Sequence, residues 1–290
     1  MRDETTVRGG RGGPSAGIAR RRRKERRESR LRSTRSDESR LRRELRSGAR
    51  ASVLRIGKQT RPFFDDILSR YSKIGDAGFP DRAHFPWVED LEARTDAIRK
   101  ELDVLLRDTQ RLPELRKISP DHNRIASSTR WKSFFLYGYG HRAELGCQLC
   151  PETVRAVEAI PDLESAFFSI LMPGTHIRRH RGPTKSLVVA HLGVKIPRDR
   201  EKCVIRVDDE IRSWEEGRVL VFDDTREHEV WNRTDEIRAV LLIHVRRPLR
   251  FPGTLVGNFI FNAIRKSPFV EDGRKNLAEW EAQFRLPGAG

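Results

Sequence analysis

Between Ala166 and Val245 the chain is a succession of short β-rich runs. They cover Ala166–Met172, Ser186–Ile196, Cys203–Val207, Ile211–Trp214, Arg218–Phe222, Glu229–Trp231 and Ile237–Val245, and Gly, Pro or Asp turns separate them. Seven closely spaced strands without intervening helices predict a mainly β architecture, a sandwich or a jelly roll. Every other feature of the chain has to be placed around that layer of strands.

Upstream, the composition turns globular from Pro62. Val88, Leu91, Ile98, Leu102 and Leu105 recur at helical spacing with charged residues opposite, which predicts an amphipathic helix over 87–107. Pro113 and Pro120 punctuate a connector before the aromatic strand Trp131–Gly140, and Pro151 opens a helix over 151–159. Beyond the strands, Leu255, Val256, Phe259, Ile260, Ala263 and Ile264 form a helical apolar stripe. It is suited to packing on the barrel, to a dimer face or to membrane contact. The expected organisation is a disordered basic tail over 1–55, a helical region leading into the barrel over 56–160, the β core over 161–250 and a helical segment over 251–290. No run approaches the ~20 apolar residues of a transmembrane helix, and Met1-Arg2-Asp3-Glu4 opens no apolar leader. The expectation is a soluble, cytoplasmic protein.

The net charge of +16 suggests a polyanion partner until it is divided along the chain. Residues 1–50 carry 18 Lys/Arg against 7 Asp/Glu, so a surplus of 11 belongs to the tail. That tail could contact nucleic acid or an anionic surface; no aromatic residue is interleaved for base stacking. Three cysteines exclude a disulfide framework. Cys147 and Cys150 form a CxxC without the second pair that a structural zinc site needs.

Two stretches carry candidate chemistry. Pro173–Thr184 contains His176 and His180, and Phe222–Trp231 contains Asp223, Asp224 and His228. His180 and His228 are 48 residues apart, a spacing no local zinc motif uses but one a jelly roll can close. Ten residues after His228, Arg238 opens the apolar run Ala239–Ile243, so its guanidinium is expected to enter a buried cavity and to need an anionic partner. His176 is a poor third ligand, because on an extended strand it stands about 13 Å from His180 at ~3.3 Å per residue.

The usual oxygenase carboxylate, two residues after the first histidine, is here Gly182. With that departure, the words Pro173–Pro183, His191-Leu192-Gly193, Trp214-Glu215-Glu216-Gly217 and Phe222–Trp231 resemble the aspartyl/asparaginyl β-hydroxylase family. The resemblance implies a double-stranded β-helix, a cupin-like jelly roll with flanking N-terminal and C-terminal α-helices. It further implies Fe(II) held by His180 and His228 without a carboxylate, and 2-oxoglutarate anchored by Arg238 and met by Ser169, His191 and Tyr137. O₂ and 2-oxoglutarate would be consumed to hydroxylate an unactivated C–H, with succinate and CO₂ as co-products. Relatives carry an arginine two residues before the His-Leu-Gly word; here it is Val189, and Lys185 or Arg181 are the cations near enough in sequence to replace it. Asp223 or Asp224 could act from behind the metal or serve as turn residues.

The substrate remains open between an amino acid or other small molecule, a peptidyl Asp/Asn and a lipid acyl chain. A halogenase with chloride beside Gly182, and a non-catalytic cupin-like binding protein, remain as alternatives.

Overall fold

The β-rich runs pair into two antiparallel sheets. Strands β1 (Trp131–Gly138), β2 (His141–Arg142), β3 (Leu163–Leu171), β4 (Thr175–His180), β5 (Leu187–Lys195), β6 (Cys203–Val207), β7 (Glu210–Ser213), β8 (Val219–Phe222), β9 (His228–Asn232) and β10 (Arg238–Arg246) follow in chain order. They assemble as β2-β1-β3-β10-β5-β8 facing β4-β9-β6-β7, the two-sheet arrangement of a double-stranded β-helix. The computed structural model describes residues 59–119, 122, 124, 125 and 129–284. The expected disorder of the basic tail therefore falls outside the described residues. Strand β4 was not expected as a strand: Thr-His-Ile-Arg-Arg-His lacks the apolar alternation that betrays one.

Residue parity builds two cores, one on each side of the six-stranded sheet. Phe168, Ile170, Leu241, Ile243, Ala190 and Leu192 point outward and pack with helix residues such as Val88, Ile98 and Leu102. Phe167, Leu171, Val189, Val240 and Leu242 point inward against Ile177, Ile205 and Val230 of the smaller sheet. Strands buried on both faces read as continuous apolar runs, which is why Ala239–Ile243 shows no alternation.

Helices cover the outer face. Residues 60–70 form α1, followed by α2 (Trp87–Glu92), α3 (Thr95–Leu106), α4 (Leu115–Ile118), α5 (Glu144–Leu149), α6 (Pro151–Glu158), α7 (Gly253–Arg265) and α8 (Pro268–Gln283). The single helix expected over 87–107 is two. The Glu92 carbonyl accepts the Thr95 hydroxyl at 2.7 Å, and the Glu92 carboxylate binds Arg82, Arg218 and the Val219 N–H. Helix α5 was not singled out, whereas α8 lies within the helical segment expected over 251–290; its Trp280 meets Phe134 edge-on at 6.0 Å. No helix among the described residues is long and apolar enough to cross a membrane.

One ion cluster ties the loop after β8 to the end of β10. Asp223 is fully buried and receives Arg247 Nη2 at 2.6 Å, Lys185 Nζ at 3.3 Å and the Thr225 hydroxyl at 2.5 Å. Burial pushes its pKa up, but Arg247, Thr225 and Lys185 together outweigh that and hold it below the usual value. The folded pKa is therefore the lower one. The stabilisation is present above the unfolded value of about 4 and is lost as the pH falls through the folded value. Asp223→Asn leaves buried Arg247 without an anionic partner and Lys185 with Asp76 alone, and is expected to destabilise the fold by about 3–5 kcal/mol. Thermal unfolding at pH 7 measures this, and a loss below about 1 kcal/mol would contradict the anchoring assigned to the cluster.

Candidate active site

Strand β4 carries one residue more than its partner. Ile177 pairs with Val230, but the next pair is His180 with His228, so a bulge takes up the additional residue. The bulge reverses the alternation, leaving His176 outside against Glu229 at 2.7 Å and stacked on Trp231, while His180 turns inward. The two imidazoles thus meet across the ladder with ring centroids 4.0 Å apart.

Their protonation is fixed by the backbone. His180 Nδ1 lies 2.7 Å from the Arg178 carbonyl and His228 Nδ1 lies 3.0 Å from the Arg226 carbonyl, each two residues back. A carbonyl only accepts, so both rings donate from Nδ1, and in the neutral form Nε2 bears the lone pair. Burial keeps them neutral: it drives His180 down to about 3, helped by His228, and it also lowers His228. Two adjacent, proton-free Nε2 atoms oriented by backbone acceptors have the chemistry of a metal-binding pair. Among the described residues no group of three or more His, Cys, Asp or Glu is placed to hold a metal ion, so a cation here would have two protein ligands.

Gly182 adjoins this pair for a steric reason. A Cβ at 182 would overlap the Asp224 carboxylate, which takes up that space while the Gly182 N–H donates to the Asp224 carbonyl at 2.7 Å. Asp224 is buried and lines the same cavity, and its Oδ1 has no partner. Burial, reinforced by Asp223, raises its pKa to about 7.

Across the cavity stand two unsatisfied donors. Arg238 is 1% exposed, lies with Cζ 4.3 Å over the Trp214 ring, and gives Nη1 to the Ser169 carbonyl at 3.3 Å; Nε has no partner. Burial lowers its pKa to about 10, offset in part by its contact with the Cys203 thiol, so it remains charged, with no carboxylate partner among the described residues. His191 accepts the Trp214 indole N–H on Nδ1 at 3.2 Å, and its buried Nε2 is unpartnered. Since an indole only donates and burial keeps His191 neutral, Nε2 carries the proton. Ser169 Oγ accepts the Trp131 indole N–H at 3.0 Å, so its own proton is available. A buried guanidinium, an imidazole N–H and a hydroxyl lining one cavity have the chemistry of a carboxylate site.

The sequence words around this site are coupled by backbone contact. A Cβ at Gly193 would overlap the Glu215 carbonyl; without one, Gly217 N–H reaches the Gly193 carbonyl at 2.8 Å and Gly193 N–H the Arg218 carbonyl at 3.0 Å. This seats Trp214 against both His191 and Arg238.

Five of the six predicted site residues, His180, His228, Arg238, Ser169 and His191, line the one cavity; Tyr137 does not. Trp131 and Phe135 of β1 face the barrel interior, but the register slips between Phe135 and Tyr137 and turns Tyr137 to the outer core. There its hydroxyl meets Glu158 and Arg142. Lys185 and Arg181 do not replace the arginine missing at Val189: Lys185 is held by Asp76 and Asp223, and Arg181 is exposed. Val189 itself lines the cavity with Leu115, Trp131, Phe167 and Leu242, and His244 lies directly across from it in the ladder. Trp131 and His244 were missed as lining residues, and Trp214 was missed as the ring that backs His191 and Arg238. Counting in twos from Arg238 along β10 would have found His244.

The family model described as aspartyl/asparaginyl beta-hydroxylase matches residues 92–248. An ornithine lipid ester-linked acyl 2-hydroxylase of Rhizobium tropici is 41% identical over 220 residues, covering 76% of this chain and 78% of its own length. The aspartyl/asparaginyl beta-hydroxylase of Homo sapiens is 37% identical over 134 residues, or 44% of this chain, which spans only 17% of the human protein. A Pseudomonas putida prolyl-4-hydroxylase structure overlaps 53% of this chain and 88% of its own at 20% identity and a TM-score of 0.34, too loose a likeness to carry an argument. On the match over residues 92–248 and the relative aligned along most of both lengths, the chain belongs to the aspartyl/asparaginyl β-hydroxylase family of hydroxylases.

Proposed function

We propose that the protein is an Fe(II)- and 2-oxoglutarate-dependent dioxygenase that hydroxylates an unactivated C–H of a lipid acyl chain. The observation that carries this reading is the pairing, in one cavity, of two backbone-oriented imidazoles with a buried guanidinium that lacks a counter-anion. His180 and His228 would hold Fe(II). Arg238 would clamp the distal carboxylate of 2-oxoglutarate, with Ser169 and His191 donating to the same molecule. When bound, Fe(II) and 2-oxoglutarate supply the oxidation: one atom of O₂ enters the C–H bond, the other enters succinate, and CO₂ is released.

The remaining residues fit that assignment. Asp224, half protonated near neutrality, can accept from or donate to a metal-bound water where other oxygenases offer a ligand. Its carboxyl fills the space in which a side chain at position 182 would begin. An acyl substrate is supported by the Rhizobium relative and by the wall of Leu115, Trp131, Phe167, Val189 and Leu242, which presents no guanidinium at position 189 to pair with a substrate carboxylate.

The direct test is incubation of the full chain with Fe(II), 2-oxoglutarate, O₂ and acyl lipids, reading succinate and a product one oxygen heavier by mass spectrometry. A hydroxylated acyl chain is expected. Fe(II) and 2-oxoglutarate binding without succinate would instead make it a binding protein, and a hydroxylated Asp/Asn peptide with untouched lipid would overturn the substrate assignment. Arg238→Met is expected to raise KM for 2-oxoglutarate by about ten- to a hundredfold, the loss of one charge-assisted contact, while Fe(II) affinity holds. An unchanged KM would remove Arg238 from the proposed clamp.

Asp224→Asn separates stability from binding. The raised folded pKa of Asp224 means that wild type loses stability as the pH rises from its unfolded value, near 4, to about 7. The metal-free variant should therefore match wild type at pH 4 and melt higher at pH 8, yet bind Fe(II) more weakly. Equal melting temperatures at both values would contradict a buried, ionising Asp224.

A further inference from the structure

Helix α7 presents two opposed faces. Gly253, Gly257 and Phe261 are buried, and the two glycines let the helix close on Tyr71, Leu68 and Leu249. Leu255 and Phe259, about 200° around the axis from that face, are 61% and 68% exposed, and Phe251, in the turn that leads into the helix, is 76% exposed. They are three of the six large hydrophobic side chains exposed among the described residues; Leu255 and Phe259 share one helix face at four-residue spacing, and Phe251 precedes them. The three are bracketed by exposed Arg250 at one end and by Arg265 and Lys266 at the other. No acidic residue occurs from 237 to 270, in a chain with 42 Asp and Glu among its 290 residues.

An apolar ridge between cationic ends, cleared of acids, is complementary to one kind of partner: a surface with anionic groups above hydrocarbon. We propose that α7 seats the protein on an anionic lipid bilayer, with Phe251, Leu255 and Phe259 inserted among the acyl chains and Arg250, Arg265 and Lys266 at the headgroups. The inference rests on the acyl-substrate reading and adds how such a substrate is reached. Position supports it. Arg246 at the end of β10 pairs with Leu187 at the start of β5, and Val189 pairs with Phe222 at the end of β8. The loops after β4, β8 and β10 therefore share one end of the barrel. His180, Asp224 and His228 border two of these loops, and α7 follows the third, packing Gly257 near Ser186.

The test is sedimentation of the full chain with phosphatidylcholine vesicles, with and without phosphatidylglycerol, against Phe251→Ser/Leu255→Ser/Phe259→Ser. The basic tail can also bind anionic vesicles, so the comparison is repeated at about 1 M salt, where charges are screened beyond ~3 Å and inserted apolar groups still hold. Wild type should bind only the phosphatidylglycerol vesicles at low salt and keep a salt-resistant fraction. The triple variant, checked for an unchanged melting temperature, should lose that fraction by about tenfold or more. An environment-sensitive fluorophore on Leu255→Cys should shift to the blue on vesicle addition. Equal binding by variant and wild type, or no shift at 255, would overturn the proposal. So would a dimer, seen by light scattering, that the triple substitution dissolves. Neither measurement needs Fe(II) or 2-oxoglutarate, so docking can fail while the hydroxylase reading stands, and the reverse.

Discussion

The site depends on one extra residue in β4. Between Ile177 and His180 the strand runs one residue long against β9, and this reversal of alternation sets His180 opposite His228 inside the barrel. A regular ladder would have left His180 outside with His176. Once inside, each ring is oriented by a backbone carbonyl two residues upstream, so strand geometry, rather than other side chains, decides which nitrogens face the cavity. Desolvation then keeps both rings neutral, and two neutral imidazoles with centroids 4.0 Å apart have the chemistry of a metal-binding pair.

Charge around this pair is arranged in opposite ways on its two sides. Asp223 is matched by Arg247 and Lys185, and the matched cluster ties the loop after β8 to the end of β10. Its neighbour Asp224 keeps an unpartnered Oδ1, and Arg238 across the cavity an unpartnered Nε. Leaving a buried ionisable group without a partner costs several kcal/mol. On the proposed reading, a keto-diacid would complete Arg238, and Asp224 would face the ligands of the metal held by His180 and His228. On that reading, stability is lowered at the places where binding would restore it.

Much of this was legible in the chain, and what was not has definite causes. Strands buried on both faces announced themselves as apolar runs, and the words around His180, His191, Trp214 and His228 identified the family. Position-by-position inference failed where the ladder slips. The register shift at Phe135 sent Tyr137 to the outer core, and the bulge in β4 made the spacing of His176 and His180 misleading. No local pattern marks either irregularity. The break at Glu92 was hidden as well, because apolar periodicity continues through it while a tertiary network of Arg82, Arg218 and Val219 holds the carboxylate.

On the proposed reading, the imidazole pair and the guanidinium serve one metal and one keto-acid together. Anaerobic addition of Fe(II) and then 2-oxoglutarate to the purified full chain, followed by visible absorption, tests this most directly, since a keto-acid chelating Fe(II) gives a charge-transfer band that neither gives alone. A saturable band is expected at one equivalent of iron, absent in His180→Ala and requiring much more 2-oxoglutarate when Arg238 is replaced. No band in the wild type, or a band of undiminished strength in His180→Ala, would contradict that reading.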